Sequence, residues 1–137
     1  MANPFLVLGG IAISVITAAF GVLSVPGWVN SAHNASAQND VGTISLAEAA
    51  AVTTVGAPLE LDEINDAANV AKTGVKVSYA NEVEVYINGS DYIVAAKSQS
   101  SETGGVIYIR ENTGPIKKVT GTTLPADWTE ALAAVTP

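Results

Sequence analysis

The chain has no cysteine, a single histidine, a single methionine, and no charged side chain anywhere in its first 39 residues. Without cysteine there is no disulfide, no thiolate nucleophile and no Cys metal site. His33 lies in a small-polar stretch with no acidic partner within six residues. A metal site or a Ser–His catalytic pair needs such partners, so His33 reads as a surface or packing residue. No glycine-rich phosphate loop is present either, because Gly9-Gly10 sits inside an apolar run. Lysine and arginine together number six against thirteen acidic residues, a net charge of −7 that arises entirely from residue 40 onward. A nucleic-acid binder needs cations to neutralise phosphates, so this balance argues against a general nucleic-acid binder, and no nucleic-acid partner is expected for the head. Nothing in the residues points to an enzyme or to a bound cofactor.

What the chain does have is an apolar run of 21 residues, Phe5 to Val25, interrupted only by Ser14, Thr17 and Ser24 and closed by Pro26. At 1.5 Å per residue about 20 such residues cross a bilayer core of roughly 30 Å. The run is therefore expected to live in lipid or in an equally dry protein core. Met1-Ala-Asn-Pro4 carries no cation, unlike the start of a cleaved secretory signal. Neither flank has the charge cluster that orients an ordinary anchor. The sequence reads as a mature form, or as one whose final home is not the bilayer.

Helical spacing continues past Pro26. Ala37, Val41, Ile44, Ala47, Ala51 and Val55 recur every three or four residues, while Ser36, Asn39, Asp40, Thr43 and Ser45 are expected mostly off that stripe. The first half is apolar all round and the second is amphipathic. Gly56 and Pro58 predict the helix end, and Gly21 with Pro26 predicts a kink or melted stretch near 21–27. Residues 60–71 predict a short helix in an irregular connection. Their carboxylates are in the wrong order for an EF-hand calcium loop and read as a solvated face.

After residue 74 the period changes to two. Val75, Val77 and Tyr79, then Val83, Val85 and Ile87, alternate with polar neighbours such as Glu82 and Glu84. Asn88-Gly89 predicts a hairpin turn into 92–97. Residues 106–110 predict a further strand, 116–119 a short edge, and the stretch from Pro125 a short helix with the proline near its first turn. The tyrosines are expected to pack on the sheet. The fold class expected is α+β: a long N-terminal helix, apolar stalk plus amphipathic half, laid on a small antiparallel sheet of three to five strands. Residues 1–28 form the stalk and 29–137 the head.

The Phe-initiated apolar helix, the proline 21 positions on, and the Asn/Ala-rich stretch Trp28–Asp40 together resemble the type IV pilin and pseudopilin family, including its Gram-positive members. Residues 5–56 carry the resemblance. It implies a structural subunit of an extracellular filament at the cell surface, a helical homo-oligomer. The subunit would wait in the inner or cytoplasmic membrane before a separate ATPase and platform assemble it. The implied assembly interface is Phe5, Leu6, Leu8, Gly9, Gly10, Ile13, Ile16, Phe20, Gly21, Leu23, Pro26 and Trp28. Small residues there, with Ala12, Ala18 and Ala19, let neighbouring helices approach closely. The glutamate usual four residues into such stalks falls on Gly9 counting from Phe5, or on Phe5 counting from Met1, so assembly would rest on apolar packing. Two triplets, at Asn34 and Asn88, match the N-glycosylation acceptor pattern. Two alternatives stand beside the filament shaft: a single-span membrane-anchored binding domain, and a minor pilin or pseudopilin of a secretion system.

Overall fold

The structure is a computed structural model that describes the backbone of residues 4–61 and 81–136, with side chains described from residue 27 onward. Helix α1 has the bounds Pro4–Thr54. Four strands follow, β1 (Glu82–Asn88), β2 (Asp91–Lys97), β3 (Val106–Glu111) and β4 (Lys117–Thr120), and then helix α2 (Trp128–Val135). The strands form one antiparallel meander in the order β1-β2-β3-β4. The class is α+β, as the change of period predicts. As bounded, α1 includes the apolar run and the stretch 21–27 where a kink or melted segment is expected. The side chains of 4–26, and residues 62–80, where most of the short helix expected over 60–71 and the strand expected over 75–79 fall, lie outside the described residues.

The helix stripe meets the sheet. Ala37, Val41, Ile44 and Ala47 pack with Tyr92, Val94, Ala96, Val106 and Tyr108. The half-buried Val83, Val85 and Ile87 of β1 extend this layer, while Glu82 and Glu84 point to solvent. The opposite sheet face is also covered. Ile93, Ala95, Ile107, Ile109 and Tyr86 pack with Ala131 and Val135 of α2. β2 and β3 are therefore central strands buried on both faces, which explains why β2 reads Tyr-Ile-Val-Ala-Ala without alternation.

The buried stripe of α1 departs from expectation at three positions. Asp40 and Ser45, expected off the stripe, are buried, and Val55, expected on it, is exposed. Asp40 is accommodated because Asn81 Nδ2 donates to its Oδ2 at 2.8 Å and to Ser36 Oγ at 3.0 Å. Val55 comes after the last helical residue. Its N–H and that of Gly56 both donate to the Ala51 carbonyl, and Gly56 takes φ of 91°, a left-handed stop that side chains disfavour. Glu48 is buried too, and its Oε2 accepts the Leu59 N–H at 2.8 Å, tying the chain after the helix back onto it.

Two further details differ. In the β1–β2 hairpin Asn88 is still a strand residue, opposite Asp91, and the turn is Gly89-Ser90. Gly89 has φ of 66° while Ser90 is not left-handed, which is the pattern of a II′ turn with glycine first. Pro125 precedes α2 rather than entering its first turn. The N-cap is Asp127, whose Oδ1 accepts from Glu130 N at 2.9 Å, while Glu130 Oε2 accepts from Ala126 N at 2.8 Å.

Tyrosine hydroxyls join the layers. Tyr92 donates to the Ser45 carbonyl at 3.0 Å and so pins α1, and Tyr86 donates to the Pro125 carbonyl at 2.6 Å and so pins the approach to α2. Burial first, and then the charge and hydrogen bond of Glu84, push the Tyr86 phenol well above its ordinary value. Burial followed by the charge of Glu48 raises Tyr92, with Arg110 opposing.

Two outcomes follow from this packing. Ile44 is fully buried at the centre of the helix–sheet contact. Ile44→Asp places an unpaired carboxylate there at a cost of several kcal/mol, of about the order of a small domain's whole stability. Thermal melting followed by near-ultraviolet dichroism is expected to lose the head transition, and an unchanged melting temperature contradicts the packing. The second outcome is alkaline. A phenol whose folded pKa is raised keeps its proton where the unfolded chain releases it. Stability is full below the unfolded value of about 10 and declines as pH rises above it. Tyr86→Phe removes that loss, so its alkaline unfolding midpoint shifts to higher pH, at a neutral-pH cost of about 0.5–1.5 kcal/mol for the missing hydrogen bond. A midpoint that does not move, or moves down, contradicts the role given to Tyr86.

Candidate functional site

Rotation of α1 about its axis decides which side chains it shows to solvent. From residue 27 to 54 the helix carries only two charged residues, Asp40 and Glu48. They are 2% and 0% exposed, both turned into the head. The opposite, outward face runs through Trp28, Ala32, Ala35, Asn39, Leu46 and Ala50, at helical spacing and all exposed. Trp28 is 73% and Leu46 63% exposed. A helix on the surface of a soluble domain normally places its charges outward. Here the outward face has none. Near its end, Thr53 and Thr54 turn their hydroxyls back to the carbonyls of Ala49 and Ala50, so they also add no charge.

At the stalk end of this helix a polar clasp holds the head. Ser101 donates from its backbone N at 2.9 Å and its Oγ at 3.1 Å to Asn30 Oδ1. One turn on, Ser98 Oγ donates to Asn34 Oδ1 at 2.6 Å, and Asn34 Nδ2 donates to Glu102 Oε1 at 2.5 Å. Lys118 Nζ of β4 donates to the other oxygen of Glu102 at 2.9 Å. The Lys118 hydrogen bond, and after it that of Asn34, hold the Glu102 carboxyl below its usual range. The β2–β3 loop is thus strapped to α1 next to Trp28. Farther along, Tyr92 meets Ser45 at the other end of β2, so β2 runs antiparallel to the helix.

Of the residues the sequence singles out, Trp28 is exposed on the outward face. Asn34 is half-buried with its amide nitrogen engaged in the clasp, and Asn88 is exposed at the hairpin. Phe5 to Pro26 lie outside the residues with described side chains. Leu46, Asn30 and the charge-free outward face were not singled out. Leu46 lies two residues from Ile44, about 200° around the helix, so the same periodicity that marks the core would have marked the empty face.

Other regions offer little chemistry. A cleft of about 250 Å³ lies between β3, β4 and α2, with Ile107, Ile109, Val119 and Thr123 in its wall and Glu130 as its one titratable group. Among the described residues no cluster of His, Asp or Glu is arranged to hold a metal ion. Among the same residues no helix is long and apolar enough to cross a membrane. Comparison of the chain with protein-family models, with curated proteins and with solved structures finds no match.

Proposed function

We propose that this chain is a non-enzymatic structural subunit of a pilus-like extracellular filament at the cell surface. In this reading α1 is one long helix. Its apolar stalk holds the subunit in the inner or cytoplasmic membrane before assembly and packs against the stalks of other copies afterwards, and the acidic head lies outside. A separate ATPase and membrane platform would supply the work of extraction. Contacts that repeat head to tail without closing generate a helical fibre.

The charge distribution of α1 carries this reading. The apolar run from Phe5 to Val25 has to be covered, because soluble monomers tolerate exposed apolar patches of only a few hundred Å². A bilayer alone would cover that run, but it would leave residues 28–54 in water, where an outward helix face gains from charge. Both carboxylates of this stretch are instead turned inward, and Trp28, Ala35 and Leu46 face out. A face of that kind suits contact with neighbouring subunits continuing up from the stalk. The other acids among the described residues, on β1, β2, β3, the loops and α2, would give the outside of a fibre a negative surface that keeps fibres apart.

Leu46→Glu separates this reading from a single-span anchored domain. In the isolated subunit the site is exposed, so the head's melting temperature stays within the small range of surface substitutions, about 0.5 kcal/mol. Inside a packed fibre the same carboxylate would be buried at a cost of several kcal/mol. Negative-stain imaging of sheared surface material is expected to show fibres from the wild type and few or none from Leu46→Glu. Abundant fibres from the variant contradict the proposed interface. A wild type that yields only detergent-soluble monomers, with unchanged fibres after deletion of the gene, contradicts the filament itself.

A further inference from the structure

The stalk-end surface of the head has its own chemistry and shares only Trp28 with the outward face of α1. Three observations meet there. Trp28 is 73% exposed, three residues beyond the end of an apolar run of bilayer length. Asn30, two residues farther, is bonded to Ser101, which brings the β2–β3 loop to that level of the helix. The exposed side chains of that loop, Gln99, Ser101 and Thr103, are polar and uncharged, and its one acid, Glu102, is paired with Lys118.

The dimensions fit a membrane surface. If 5–25 fill the hydrocarbon, residues 26–30 advance about 7.5 Å along the helix, and the headgroup zone of one leaflet is about 5–8 Å deep. Tryptophan concentrates in that zone because its ring is apolar and its N–H is polar. The loop then meets the water side of the headgroups. Its neutrality matters, since an acidic chain would be repelled from an anionic leaflet if its carboxylates faced the lipid. At this end of the sheet Glu82 of β1 lies opposite Lys97 and is paired with its Nζ at 3.3 Å, while Glu84 lies farther along β1 and Asp91 and Glu111 toward the opposite end of the strands.

We propose that Trp28, Asn30 and the β2–β3 loop form a headgroup-level collar by which the unassembled subunit rests its head directly on the bilayer surface. The partner is the headgroup layer of a phospholipid membrane. This inference rests on the stalk being held in lipid before assembly, and it adds the orientation of the head: the β2–β3 loop faces the lipid and the Asn88–Asp91 hairpin faces away. Six residues of β2 separate the two ends, about 20 Å at strand rise. The clasp to Asn30 and Asn34 holds the loop of the collar to the helix at that level.

The full chain, reconstituted in phosphatidylcholine vesicles containing a small fraction of nickel-chelating headgroup lipid, tests this. Because the chain has no cysteine, Thr103→Cys and Asn88→Cys each give a single spin-label site, both exposed. The collar predicts relaxation of the Thr103 label several-fold stronger than that of the Asn88 label. In a Trp128→Phe background, Trp28 fluorescence is expected to be quenched more by lipids brominated near the headgroup than by lipids brominated deep in the chains. Equal relaxation at the two labels, or strongest quenching by deep bromines, overturns the collar while leaving the stalk in lipid. Failure of the chain to float with the vesicles overturns the collar and the membrane-held state together. A collar found as described in a chain that never forms fibres counts against the filament reading alone.

Discussion

The Tyr92 hydroxyl on the Ser45 carbonyl and the Asn34 amide between Ser98 and Glu102 fix the rotation of α1 over the sheet. These contacts lie eleven residues apart on the helix, about 16 Å, and six residues apart along β2 and its end, about 20 Å. Between them the apolar stripe of Ala37, Val41 and Ile44 has one way to sit. Hydrophobic packing alone would tolerate some rolling of the helix, since it is not directional. The hydrogen bonds are directional, and they decide that Asp40 and Glu48 face inward and Leu46 outward.

That rotation has an energetic cost which the head meets locally. A buried carboxylate requires donors. Asp40 receives Asn81, and Glu48 receives the Leu59 N–H, both from segments that follow the helix in the chain. The same carboxylates placed outward would need no partner at all. Their inward position leaves the exterior of α1 free of charge and makes it compatible with close helix neighbours. The two sides of the helix therefore share one cause: acids buried on one side are acids missing from the other.

Much of the fold was legible because its layers differ in period. The stripe from Ala37 to Ala51, the strands after residue 81, the hairpin at Gly89, the end of the helix at Gly56 and the C-terminal helix all follow from local pattern. The departures have a common origin. Asp40 and Ser45 look like surface residues until Asn81 and Tyr92 arrive from elsewhere in the chain. β2 lost its alternation because α2 covers a face that a two-layer fold would leave wet. Asn34 reads as a glycosylation triplet, yet its nitrogen is bonded to a loop 68 residues away. For the stalk, the resemblance to type IV pilins rests on the spacing of Phe5 and Pro26, and the filament function remains a proposal built on that spacing and on the charge-free face of α1.

The central claim is that this outward face is covered by other copies at the cell surface. Ala35 lies in its middle and Asn88 at the far end of the head, both exposed in the single subunit. Since the chain has no other thiol, maleimide labelling of Ala35→Cys and Asn88→Cys on intact cells, compared with detergent-dispersed subunits, reads coverage at each position. The account predicts that Asn88→Cys labels in both states, whereas Ala35→Cys labels in detergent and is protected on cells. Equal labelling of Ala35→Cys in the two states would contradict it.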